Sequence, residues 1–64
     1  MDIFKKKDEL EVRFPNKVVK LRGHQDSDAF TVFTESVDAH PSLSDNDIKL
    51  LVEEFKQRGD IVIR

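Results

Sequence analysis

The sequence predicts an α+β fold: a small antiparallel sheet, made of a β-hairpin and two further strands, with one amphipathic helix packed on one face, in the order β-β-β-α-β. Three stretches carry this expectation. Residues 10–14, "LEVRF", alternate apolar and charged, which is the period of a half-buried strand. Ile48, Leu51, Val52 and Phe55 recur at i, i+3, i+4 and i+7, which is one face of a helix. The closing "DIVIR" sets Ile61 and Ile63 on one side of a strand and Val62 on the other.

The hairpin comes first. In strand 10–14, Leu10, Val12 and Phe14 share a face and Arg13 lies opposite. Pro15-Asn16 is turn chemistry, with proline pre-set for the first central position and asparagine tolerant of the second. A second strand over 18–22 puts Val19 and Leu21 on one face and Val18 on the other, and Gly23 is expected to close it. Residues 24–28, "HQDSD", read as a loop, and residues 1–8 as a flexible lead-in.

The segment "AFTVFTESV" carries two periods at once. Its β-branched and aromatic content predicts a strand over 29–35, with Phe30 and Val32 on one face and Phe33 on the other. Phe30, Phe33 and Val37 also stand at helical spacing, so a helix is the competing reading. Pro41 disfavours helix at His40 and ends whatever precedes it.

The helix is expected over 44–58. Ser44 is a good N-cap, Asp47 completes a capping box, and Asp45 and Asp47 suit the positive end of the dipole. Lys56 and Arg58 stand in the last turn, and Gly59 reads as a left-handed C-cap. Every apolar position of this helix is expected to cover a sheet face. The final strand is expected over 60–64.

Composition narrows the classes. The chain has 64 residues, enough for one domain spanning 1–64. A chain of this size buries only ~60% of the surface its unfolded form exposes, so a supplement to the core is expected. There is no cysteine, hence no disulfide. Self-association into a homodimer is the expected supplement. No apolar run approaches the ~20 residues of a membrane span, and no cofactor motif is present. A cytoplasmic location is the expectation, with no membrane partner. Charge is uneven: residues 1–23 hold seven basic residues against four acids, +3, and residues 24–64 hold four against nine, −5, which together make the net −2.

Catalytic and metal constellations are weak. His24 with Asp26 and Asp38 with His40 are generic pairs without a third histidine or a thiol. An EF-hand counted from Asp45 would put Leu50 and Lys56 where glycine and an acid are required. Glu53 and Glu54 are adjacent on a helix and so diverge. A non-enzymatic binding or regulatory protein is therefore expected, acting on another protein as a phage- or plasmid-type inhibitor or adaptor does. Phe33, Val62 and Arg64 are its candidate interface residues, because "DIVIR" at a sheet edge could pair with another strand. The alternative is a small DNA- or RNA-binding regulator using Arg13, Lys17, Lys20 and Arg22 as a basic ribbon. In the helical reading of 29–37, the two helices around "HPSLS" and the following "GDIVIR" resemble the helix-turn-helix and wing of a winged-helix domain. Asp45 and Asp47 would then open the reading helix and repel phosphate.

Overall fold

Five strands make one sheet in the spatial order in which the chain meets them: β1 (Asp2–Lys5), β2 (Glu9–Phe14), β3 (Lys17–Gln25), β4 (Phe30–Val32) and β5 (Ile61–Ile63). Two helices, α1 (Thr34–Asp38) and α2 (Asp45–Arg58), stand between β4 and β5. The computed structural model describes residues 1–64. The α+β class, the hairpin and the long helix follow from the sequence patterns. Four details differ from expectation.

Residues 1–8 are not a loose lead-in. Asp2–Lys5 pairs antiparallel with β2, from Asp2 opposite Arg13 to Lys5 opposite Leu10. Ile3 supplies the reason, since it stands opposite Val12 and packs on the core.

Gly23 does not close β3, which runs on to Gln25 and changes partner on the way. Glu9–Phe14 pairs with its first part, and Phe30–Val32 pairs with Gly23–Gln25. Gly23 is buried there, and a Cβ would lie 2.0 Å from the Thr31 carbonyl oxygen and 2.7 Å from the Phe30 ring. Only a residue without a side chain lets β4 approach this closely.

Residues 29–37 satisfy both periods, each over half the segment. Phe30 and Val32 face the core from a three-residue strand, and Phe33 remains extended at φ −74° and ψ 127°. The chain then turns into α1, which drops Val37 into the core at 2% exposure. A helix-turn-helix is not formed, because Phe30–Val32 is strand and α1 is only five residues long.

β5 is parallel to β4, not antiparallel. The helical crossover returns the chain to the end of the sheet from which β4 set out, and such a crossover imposes a parallel pair. β5 has no strand on its other side, so it is a sheet edge.

The core is one cluster of eleven buried apolar residues drawn from one face of the sheet, from Val37 and from α2. Leu10, Val12, Val19 and Leu21 supply the hairpin side, and Leu51 and Phe55 the helix side. Both ends of α2 are built as its sequence implies. Ser44 Oγ accepts from the Asp47 N–H at 3.2 Å while Asp47 accepts from the Ser44 N–H at 3.0 Å. Gly59 takes φ 77° and donates to Phe55. The sheet is also curled. Lys5 of β1 reaches Asp60, just before β5, at 2.8 Å, although β1 and β5 are the two outermost strands. A flat sheet with four strand gaps spans roughly 19 Å, beyond the reach of that pair.

Two outcomes test this packing by urea unfolding. Phe55→Ala should lose about 3–5 kcal/mol, whereas Leu50→Ala, at an exposed helix position, should stay within about 0.5 kcal/mol. Gly23→Ala should cost at least about 1–3 kcal/mol, because the clash is with backbone that cannot rotate away. A neutral Gly23→Ala would contradict the close β3–β4 approach.

Candidate binding face

Both helices cover the same side of the sheet, so its other face is open. Strand alternation decides what stands there. Rows across β1, β2 and β3 read Asp2–Arg13–Val18 and Phe4–Glu11–Lys20, with Glu9 opposite Arg22. Farther along, His24 is opposite Thr31, and Thr31 is opposite Val62. Of the six large apolar side chains left exposed, Phe4, Val18, Phe33 and Val62 are on this face.

The three interface candidates come together. The Arg64 N–H donates to the Val32 carbonyl at 2.9 Å and the Thr34 N–H donates to the Arg64 carbonyl at 2.7 Å, which sets Arg64 beside Phe33. Val62 is the next outward position along the same strand. Phe33 is held by its N–H to the Arg22 carbonyl at 2.9 Å, and Ser36 Oγ donates to the Phe33 carbonyl at 2.8 Å. The His24 ring stands 5.8 Å from the Phe33 ring at an angle of 53°. A shallow hollow of about 310 Å³, lined by Arg22, Phe33, Glu35, Ser36 and Ala39, adjoins this cluster.

The basic residues do not form one ribbon. Lys17 is drawn to the helix side, where it donates to Asp47 at 2.5 Å and to the Ser42 carbonyl at 2.6 Å. Arg13 lies between the Phe4 ring, 4.6 Å from its guanidinium carbon, and Glu11, to which it donates at 2.7 Å. Lys20 and Arg22 face outward and enter no ion pair, but each stands opposite a glutamate in the register. A polyanion laid along this surface would meet an acid beside every base.

Sequence reasoning missed Phe4 and undervalued Val18. Phe4 fell in the supposed lead-in, where the strand "DIFK" is too short to announce itself. Its pairing with β2 is a tertiary fact. Val18 was legible as outward-facing, and only the bareness of that face makes it matter.

Three carboxylates are held below their ordinary values by paired cations. Glu11 is lowered from 4.5, first by its hydrogen bond from Arg13 and then by that from Lys6. Asp47 is lowered from 3.8 by Lys17 and then by the Ser44 backbone N–H. Asp60 is lowered from 3.8 by Lys5. Both histidines have local partners: His24 Nε2 lies 3.2 Å from Asp26, and His40 Nδ1 accepts from the Ser42 N–H at 3.1 Å. No three or more of the residues His, Cys, Asp and Glu come together as a metal site. No helix is long and apolar enough to cross a membrane.

Comparison with known proteins finds no matching family model, no matching curated protein and no matching solved structure.

The lowered carboxylates predict a pH dependence of stability. Unfolded, Glu11 takes up a proton near 4.5 and the two aspartates near 3.8, while folded they stay ionised to lower pH. The unfolded chain binds more protons in that window, so stability is fully present above it and falls as pH drops through it. Glu11→Gln should flatten the part of the fall that begins near 4.5. Urea midpoints measured from pH 7 to pH 3 check the sign.

Proposed function

We propose that this chain is a non-enzymatic binding protein that acts by covering a surface of another protein with its open sheet face, as an inhibitor or adaptor does. The observation that carries the reading is the grouping of Phe4, Val18, Phe33 and Val62 on the one sheet face that no helix covers. Exposed apolar side chains gathered on one face and rimmed by polar ones mark an interaction surface. Lys20 and Arg22 have open charges among them, so the partner surface is apolar at its centre with carboxylates at its rim. Arg13, stacked on Phe4 and bound to Glu11, is pre-ordered and loses little freedom on contact.

Nucleic-acid binding has less support. Phosphate binding is favoured by several cations acting on one track, and here Lys17 is turned away while Asp2, Glu9 and Glu11 interleave with the rest. Base stacking would need free rings, yet Arg13 lies over Phe4 and His24 lies against Phe33.

Two measurements test the reading. Anisotropy with duplex and single-stranded probes should show no binding at either ~50 or ~200 mM salt; tight binding that collapses between them would replace this proposal with the nucleic-acid one. In affinity capture from cell extract, a protein retained by the wild type and by the helix variant Glu53→Ala should be lost with Phe33→Asp and with Arg22→Glu. Retention by the wild type and all three variants would mean the open face is not the site.

A further inference from the structure

The two edges of the sheet are treated differently. β1 carries Asp2 and Lys5 within its four residues, the charged decoration that discourages strand-to-strand association. β5 is Ile-Val-Ile with no charge inside the strand. Its backbone is half used. Phe30 donates to the Asp60 carbonyl and Arg64 donates to Val32, so the groups of Asp60, Val62 and Arg64 turn toward β4. The N–H and C=O of Ile61 and Ile63 therefore point out along the free edge. Beside that edge runs an apolar groove of about 360 Å³ between β5 and α2, with Val52, Phe55, Ile61 and Ile63 in its wall.

We propose that a second copy of this chain occupies this edge, its β5 pairing antiparallel with the first about a two-fold axis at Val62. One register meets every requirement. Val62 faces Val62 of the other copy as a non-hydrogen-bonded pair, in which side chains come closest. Ile61 faces Ile63 as hydrogen-bonded pairs on both sides of the axis, and these are the residues whose backbone groups point outward. Asp60 of each copy, which within its own chain accepts from Lys5 at 2.8 Å and Arg58 at 3.4 Å, then stands opposite Arg64 of the other, so the ends of the strand remain complementary in sign. On the core side the Ile61 and Ile63 side chains of the two copies then stand next to one another, and the two grooves meet across the axis. The contact is isologous, so it closes at two copies and does not grow into a fibre.

The pair is expected to be reversible. A standard interface takes about 800 Å² from each partner, a large share of a surface of 4351 Å². A three-residue strand and a groove offer less. Two open faces would be joined edge to edge into one surface, but the pairing does not depend on what that surface binds.

The chain contains no cysteine, which allows a direct test. Opposed residues of a non-hydrogen-bonded antiparallel pair have Cα atoms about 4.5 Å apart, within disulfide range. Val62→Cys should therefore form a covalent dimer under mild oxidation at least about tenfold faster than Leu50→Cys or Val18→Cys at equal concentration, since paired strands meet at millimolar effective concentration. Leu50 and Val18 are both more exposed than Val62, so exposure alone predicts the opposite order. Adding Arg64→Asp to Val62→Cys should slow the reaction several-fold, whereas Arg64→Lys should not. Circular dichroism confirms that each variant is folded. A Val62→Cys rate no greater than the two controls overturns the pairing, as does a rate indifferent to Arg64→Asp. Because no partner protein is present, failure here is distinct from failure of the binding-face reading.

Discussion

The seating of Leu51 and Phe55 of α2 on the concave side of the sheet is the contact on which the rest depends. Both are nearly or fully buried, and they meet a face built from alternate residues of every strand. Strand pairing alone would leave that face wet, and a small sheet without a covered face has little independent stability. The helix arrives with both ends satisfied by its own residues, so its length and its start are not negotiated with the sheet. Lys17 ties the hairpin turn to the first turn of α2 through Asp47, which joins the capping box to the strand it must sit beside. The same carboxylate accepts from the Ser44 N–H and from the lysine, and its lowered pKa reflects both.

The two helices cover one face of the sheet only, and the outer face bears the consequence. Without a second layer, that face carries charges of alternating sign across the strands. Glu11, only 7% exposed in the middle of that face, is the clearest case. A carboxylate so enclosed stays charged because Arg13 and Lys6 both donate to it. Around it the exposed apolar side chains have polar neighbours: Phe4 lies under Arg13, Phe33 beside His24, Val62 beside Thr31. Such a surface offers apolar side chains each set beside a polar one.

Closure is partial in the same economical way. The curl brings the two outermost strands close enough for Lys5 to bind Asp60, but no hydrogen-bond ladder joins them. The pair is about a third exposed on each side, so it aligns the edges more than it stabilises them. What stays open is the β5 edge with the groove behind it, where Val52 and Phe55 of α2 stand in the wall. Farther into the sheet, Gly23 permits the close β3–β4 approach, where a side chain would meet the Thr31 carbonyl oxygen and the Phe30 ring.

Much of the local structure was legible from the sequence, because local periods and end signals are backbone physics acting within a few residues. The alternation of "LEVRF", the stripe of Ile48, Leu51 and Phe55, the Ser44–Asp47 box and Gly59 all mean in the structure what they mean in the chain. Val52, by contrast, lines the groove and Leu50 is exposed, so not every apolar position of the helix covers the sheet. In the candidate site, the outward facing of Phe33, Val62 and Arg13 was readable too. Tertiary structure alone decided the others. "DIFK" is a strand only because β2 offers a partner, and Gly23 lies inside β3 only because Phe30 must pass over it. Phe30 to Val37 carried two periods, and the position of the core determined where one gave way to the other. The parallel seating of β5, the loss of Lys17 to the helix side and the gathering of Phe4, Val18, Phe33 and Val62 all depend on pairings between distant residues. A sequence period states which side chains share a face; only the packed chain states what that face meets.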